Sequence, residues 1–343
     1  MMKLTMKKMI LSGMACALAF SLSACGTKTD APKAASSAAS SQSAQASGKV
    51  TVYMPSPAGL SNKIAKGFEE KTGIKVEQFQ GTTGEILARL EAEKSNPVAD
   101  VVILASWSDG LSMKQKGALA SYQPQNSDKL EKAFKDNDNT LFGYSASAVG
   151  VIYNKNVIPE LSADWSELAD PKYKGMLAIP DPEKSGACKD FLAGFVTKNG
   201  WDALEGMAKN GMKVPGANKA ALEAVTTGEV GILVAGVDYN AYSSIKKGES
   251  LAIYYPKSGT IVNPRPAMIM KSAPDKENAQ KFMDYLLSDE VQKMVSDANL
   301  LPGRSDVKAK NTQLADIPQI PADWDKMMSI ASETAAKLNA LCK

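Results

Sequence analysis

Histidine does not occur once in the 343 residues. Its absence removes the usual general base of Ser-His and Cys-His catalysis, and with it a common nitrogen ligand of zinc. Cysteine is scarce as well: Cys16, Cys25, Cys188 and Cys342 include no Cys-x-x-Cys spacing, which excludes a structural zinc site. There is no Gly-x-Ser-x-Gly turn and no phosphate-loop lysine motif, and no pair of carboxylates stands out for general acid and base work. The four Trp and eight Phe are scattered, not interleaved with basic clusters. An excess of one charge is missing too. Forty Lys and Arg face 37 Asp and Glu, and residues 1–24 hold Lys3, Lys7 and Lys8 with no acid, which leaves 37 of each sign beyond them. So balanced a chain offers no footprint for nucleic acid or for a general anionic surface.

What is present at the start decides the compartment. Lys3, Lys7 and Lys8 precede an apolar run over 9–22 that is too short to span a bilayer comfortably, the form of a secretory signal peptide. The run ends in Leu22-Ser23-Ala24-Cys25, which resembles a lipobox, where small residues precede a cysteine that becomes the lipidated first residue of the mature chain. Residues 1–24 are therefore expected to be removed, Cys16 with them, and Cys25 to carry a lipid anchor in place of a transmembrane helix. Residues 27–48 are almost wholly Ala, Ser, Gln, Thr and Lys, too poor in apolar surface to offset the entropy of ordering. Residues 25–48 thus read as a flexible tether, with an end-to-end distance of roughly 25–30 Å. About 295 residues remain, ample for two lobes. An outside compartment permits a disulfide between Cys188 and Cys342, yet nothing in their spacing requires one.

Beyond the tether, strands and helices alternate. Residues 49–54 (KVTVYM) alternate as a strand, and Leu60, Ile64 and Phe68 recur at helical spacing until Thr72-Gly73. Ile74, Val76 and Phe79 suggest a second strand. Thr82 and Glu85 have capping-box spacing ahead of a helix through Ile86, Leu87 and Leu90, and Pro97 breaks it before a buried strand over 101–105. Later strands are predicted over 144–153, 176–180, 230–235, 251–255 and 267–270. Helices are predicted around 190–196, 201–209 and 220–225, then through Ala279, Phe282, Met283 and Leu286, and last over 323–341. Such alternation predicts an α/β fold with mixed, mostly parallel sheets covered by helices.

The order of motifs resembles the type II periplasmic binding protein family, in the cluster serving ferric iron, thiamine, polyamines, 2-aminoethylphosphonate and phosphorylated small molecules. The residues that carry the resemblance are the strand over 50–53, FEEKTGIKV (68–76), GTTGEILARL (81–90) and NPVADVVI (96–103). DWSELADPKYKG (164–175), PDPEKSG (180–186), AQKFMDYLLSDEVQ (279–292) and LLPGRSDV (300–307) complete it. The resemblance implies a two-lobed fold with two hinge crossovers, near 144–151 and 258–265. One lobe would hold residues 49–145 and 262–343, with the C-terminal helices, and the other 146–261. It also implies a small-molecule solute held in the interlobe cleft and delivered to an ABC permease. No cofactor and no catalysis is expected, and the body would be a monomer, lipid-anchored at the cell membrane and facing the extracellular or periplasmic side.

In open α/β sheets a ligand sits beyond the carboxyl ends of strands, where helix starts expose unpaired N–H groups. Five such junctions give the expected ligand contacts: Ser56, Thr82 with Thr83, Ser106 with Trp107, Ser185-Gly186-Ala187, and Asp238 with Tyr239. Hydroxyls beside helix-start amides suit phosphate, phosphonate or carboxylate oxygens. The same residues also read as ordinary helix caps. Trp107 is open between a wall for the solute and a packing residue, Tyr144 between a phenol donor and hinge packing, and Arg265 between an anion clamp and a surface or hinge residue. A phosphonate or phosphate ester fits these loops best. Ferric iron is the alternative, and would fall to Tyr239 and Tyr242; the chain departs from the ferric pattern in lacking histidine and in having Ser106-Trp107 where an acid is expected. An exported hydrolase and a receptor-like sensor are the readings from other classes.

Overall fold

The computed structural model describes residues 48–343. The chain opens with β1 (Lys49–Met54), α1 (Ala58–Thr72), β2 (Lys75–Gln80), α2 (Thr83–Ala92), β3 (Val101–Ile103), α3 (Trp107–Gln115) and β4 (Leu119–Ala120). The long strand β5 (Phe142–Asn154) follows, then β6 (Leu177–Ala178), α4 (Gly186–Asn199), α5 (Asp202–Lys209), α6 (Asn218–Thr226), β7 (Ile232–Val237), α7 (Asp238–Lys246) and β8 (Leu251–Tyr254). The return leg is β9 (Val262–Met270), α8 (Lys276–Leu286), α9 (Asp289–Asp297), β10 (Leu301–Pro302) and α10 (Trp324–Leu341). Local chemistry accounts for the boundaries. Gly73 ends α1 in the left-handed region at φ 74°, where a side chain would be strained. Thr82 and Glu85 close the expected capping box at the start of α2.

Strands β2, β1, β3, β9 and β5 lie side by side, with β4 beside β9 and β10 beside β5. Beyond Ala148, the last residue of β5 to pair with β9, the same strand pairs with β7 and β8, and β6 extends that group along β7. Strand β5 therefore runs out of one sheet into a second, and the chain returns through the turn before β9. Thr260 pins that turn, its hydroxyl donating to the Val149 carbonyl at 2.6 Å. These are the two crossovers that the resemblance implied.

The expectation of mostly parallel pairing needs correction. Among the described residues β1–β2, β1–β3 and β6–β7 are parallel, whereas β3–β9, β4–β9, β5–β9, β5–β7, β5–β8 and β5–β10 are antiparallel. The cause is topological: β5 and β9 carry the chain in opposite directions and lie within the sheets, so each pairs against its neighbours' direction. Strand β9 also starts five residues earlier than expected, because Pro264 and Pro266 read as breakers. They are accommodated because β3 pairs only with residues 267–269, which leaves 262–265 with β5 alone, because Pro266, with no N–H to give, still accepts from the Leu104 amide through its carbonyl at 3.1 Å, and because the β5 register shifts between Gly143 and Ser145.

The core follows from the apolar runs. Val50, Val52, Ile64, Phe68, Val101, Val102 and Ile103 are fully buried on one side of the molecule, and Leu177, Leu192, Ile232 and Val234 on the other. Helix α10 packs along α4 and also reaches α3, so it straddles the expected lobe boundary. Cys188 and Cys342 are both unpaired. Burial pushes the Cys188 thiol well up, and it donates to the Pro180 carbonyl at 3.2 Å.

Candidate functional site

Two sets of contacts join the helix-start loops on the β1–β3 side to those on the β6–β8 side. In the first, the amino ends of α3 and α4 meet. Ser106, the N-cap of α3, accepts from the Asp109 amide. Asp190, fully buried on α4, accepts from the Ser106 hydroxyl at 2.9 Å, the Trp107 amide at 2.7 Å and the Ser108 hydroxyl. Lys189 and Asp109 form an ion pair at 2.8 Å beside it. The approach is so close that a Cβ on Gly186 would lie 2.8 Å from the Ala105 carbonyl oxygen, and one on Gly84 would lie 2.5 Å from that of Glu183. Burial, reinforced by the neighbouring Asp109 carboxylate, pushes Asp190 up to about 7 against the pull of its hydroxyl partners and Lys189.

In the second set, the end of β1 meets β5 and β9, and β9 reaches α7 through Arg265. Ser56 and Tyr144 share a hydroxyl hydrogen bond of 2.7 Å. The Arg265 guanidinium donates to the Pro55 carbonyl at 2.7 Å and lies 5.8 Å from the centre of the Tyr239 ring. Arg265 is 1 % exposed, forms no ion pair among the described residues, and its Nε–H has no partner. Burial pushes the Tyr239 phenol up, and the guanidinium pulls it part of the way back. Asp238 starts α7 and is raised to about 7 by burial, although the Ala148 and Tyr239 amides and the Tyr255 hydroxyl donate to it.

The expected contact residues are distributed over these sets. Ser106 and Gly186 lie in the first, with Thr83, whose hydroxyl accepts from the Ala105 amide at 3.1 Å, and Ala187 buried one residue along α4. Ser56, Tyr144, Asp238 and Tyr239 lie in the second. Thr82 is engaged by the capping box. Ser185 caps α4 through the Cys188 amide and donates to Asn218 at 2.8 Å. Trp107 packs its ring 6.4 Å from that of Trp324 and lines a groove of about 770 Å³ with Pro264 and Gln319. Tyr242 contacts Tyr255 and Thr312 hydroxyls, while Tyr239 faces Arg265, so the two tyrosines of the ferric alternative engage different neighbours.

Sequence reasoning passed over Asp190, because a carboxylate in a helical segment reads as a solvated one. It also passed over Ser145, Ser147 and Asn263, which are fully buried on the crossing strands with unpartnered polar atoms. Their signal was the alternation of polar with small or proline residues in Ser145-Ala146-Ser147-Ala148 and in Asn263-Pro264-Arg265-Pro266.

Residues 96–329 match the family described as bacterial extracellular solute-binding protein. Iron uptake protein A1 of Synechocystis sp. (strain ATCC 27184 / PCC 6803 / Kazusa) is 28 % identical over 81 % of this chain and 80 % of its own length. A putative 2-aminoethylphosphonate-binding periplasmic protein of Salmonella typhimurium is 25 % identical over 75 % of this chain and 80 % of its own. The periplasmic binding protein AfuA of Actinobacillus pleuropneumoniae, solved with fructose 6-phosphate bound, has the same two-lobed fold; it superposes with a TM-score of 0.77 at 24 % identity, over 85 % of this chain and 96 % of that one.

Proposed function

The chain belongs to the bacterial extracellular solute-binding proteins, a family of binding proteins and not of enzymes, and on that premise we propose that its solute is a small oxyanion, a phosphonate or phosphate ester. The solute is gripped between lobes formed by residues 49–145 with 262–343 and by 146–261, and the closed form docks on an ABC permease. The observation that carries the anionic reading is Arg265. Its permanent charge is withdrawn from water without a carboxylate beside it, where it touches Pro55 on one side and Tyr239 on the other. An unpaired buried cation is unfavourable by several kcal/mol, and an anionic guest offsets that by charge-assisted hydrogen bonds. The Ser56 hydroxyl, bonded to that of Tyr144, follows Pro55 in the chain, the Tyr239 ring faces the guanidinium, and in this reading the helix start at Ser185-Gly186-Ala187 adds amides from the other contact set.

Ferric iron is the rival, supported by the likeness to the iron uptake protein, with Tyr239 and Tyr242 as its oxygen donors. The guanidinium beside Tyr239 opposes Fe(III) held by tyrosines alone, since a fixed positive charge repels the metal while attracting an oxyanion, so iron would need a bound anion beside it. Mass spectrometry of the solute retained through native purification, with metal analysis of the same sample, separates the two. In calorimetry, Arg265→Met is expected to weaken oxyanion binding by more than tenfold while the chain stays folded, because no carboxylate is left orphaned. Stoichiometric iron with no organic anion, or unchanged oxyanion affinity in the variant, would sink the anionic reading.

A further inference from the structure

The crossing strands carry a second feature that no fold requirement explains. Ser145 pairs with Arg265, and Ser147 with Asn263, in the antiparallel register of β5 and β9. Directly paired residues project to the same face, so these four side chains form two adjacent rows on one side of the ribbon. The opposite face is apolar: Ala146, Ala148 and Val262 pack with Phe134, Leu301 and Ile317. The polar face is as deeply buried as the apolar one, each of the four residues being at most 1 % exposed. Yet the Ser145 and Ser147 hydroxyls, both amide atoms of Asn263 and the Arg265 Nε–H have no hydrogen-bond partner. Of the six such buried atoms among the described residues, five lie on this one patch. Leaving a buried polar group unpaired costs about 1–3 kcal/mol, and native proteins keep few of them. Five together, where two sheets meet, mark a surface that another molecule completes.

Resting on the anionic reading above, we infer that these two rows read opposite ends of the solute, so that it is an oxyanion bearing a hydroxyl or amino group a few atoms from its anionic head. The Arg265–Ser145 row supplies donors for the head. The Asn263–Ser147 row lies about 7 Å further along the strands and presents both donors and acceptors, as an amide and a hydroxyl do. A purely aliphatic tail would leave that row unpaired, whereas a hydroxyl or amine satisfies it.

The test compares matched probes on the mature chain by calorimetry: ethylphosphonate against 2-hydroxyethylphosphonate and 2-aminoethylphosphonate, and propyl phosphate against glycerol 3-phosphate. The wild type is expected to favour the hydroxyl- or amino-bearing member of at least one set by about tenfold. Asn263→Leu and Ser147→Ala are expected to abolish that preference. Both should leave the ligand-free protein as heat-stable as before or more so, since each removes an unpaired polar atom. Equal affinities within every set in the wild type, or a preference that survives Asn263→Leu, would overturn the inference and leave the anionic reading standing. Iron binding with no oxyanion bound overturns both.

Discussion

Asp190 shows how one side chain ties chemistry to stability. A carboxyl pushed up to about 7 in the folded protein, against an unfolded value near 4, binds more protons folded than unfolded between those limits. Its contribution is therefore complete below about pH 4, is lost as pH rises towards 7, and is flat above. Asp238, also raised to about 7, adds to the same window. In urea unfolding between pH 5 and 7, the wild type should lose stability with rising pH, and Asp190→Asn should flatten that slope by on the order of 1 kcal/mol per pH unit. An unchanged slope in the variant would show that Asp190 is ionised throughout. The three donors at the start of α3 that converge on it make its charged form tolerable, but they do not replace the water it has lost.

Among the elements, the amino ends of α2, α3 and α4 determine how closely the two sides approach. Gly84 sits in the first turn of α2 with the Glu183 carbonyl oxygen where a methyl group would be. Alanine there gains helix propensity of roughly 0.5–1 kcal/mol, yet it collides with backbone on the other side. Gly84→Ala is therefore expected to keep or raise the melting temperature of the ligand-free protein while weakening solute affinity about tenfold, with a larger radius of gyration in solution scattering of the solute-bound form. Unchanged affinity would mean that the α2 contact is not part of the closed state. The crossing strands show why element boundaries were only partly legible. Residues 144–153 read as a strand from alternation, and the structure extends it by three residues. Residues 262–266 did not, because local propensity weighs two prolines heavily and cannot know that no strand pairs with their second edge.

For the whole molecule, the expected lipid anchor at Cys25 lies outside the described residues and is open to a direct experiment. Cys25→Ser should shift the protein from the membrane fraction to the soluble one with its solute affinity intact, whereas membrane retention of the variant would show that Cys25 is not the anchor. A tethered binding protein near its permease works at a high local concentration, so released protein should support uptake less well than anchored protein at equal abundance.

The fold class was legible in the sequence because apolar periodicity and turn residues are local properties written residue by residue, and the family was legible through the resemblance of motifs such as NPVADVVI (96–103) and DWSELADPKYKG (164–175). The loops that meet between the two sides were legible in outline too, since helix starts announce themselves by their caps. Which side chains face one another was decided only by tertiary structure. The register of β5 against β9 put Ser145 beside Arg265 and Ser147 beside Asn263 across more than a hundred residues of chain, and the packing of α3 on α4 turned Asp190 from a nominal surface acid into a buried one. A polar atom's burial and its want of a partner depend on everything folded around it, so no stretch of sequence read alone could reveal them.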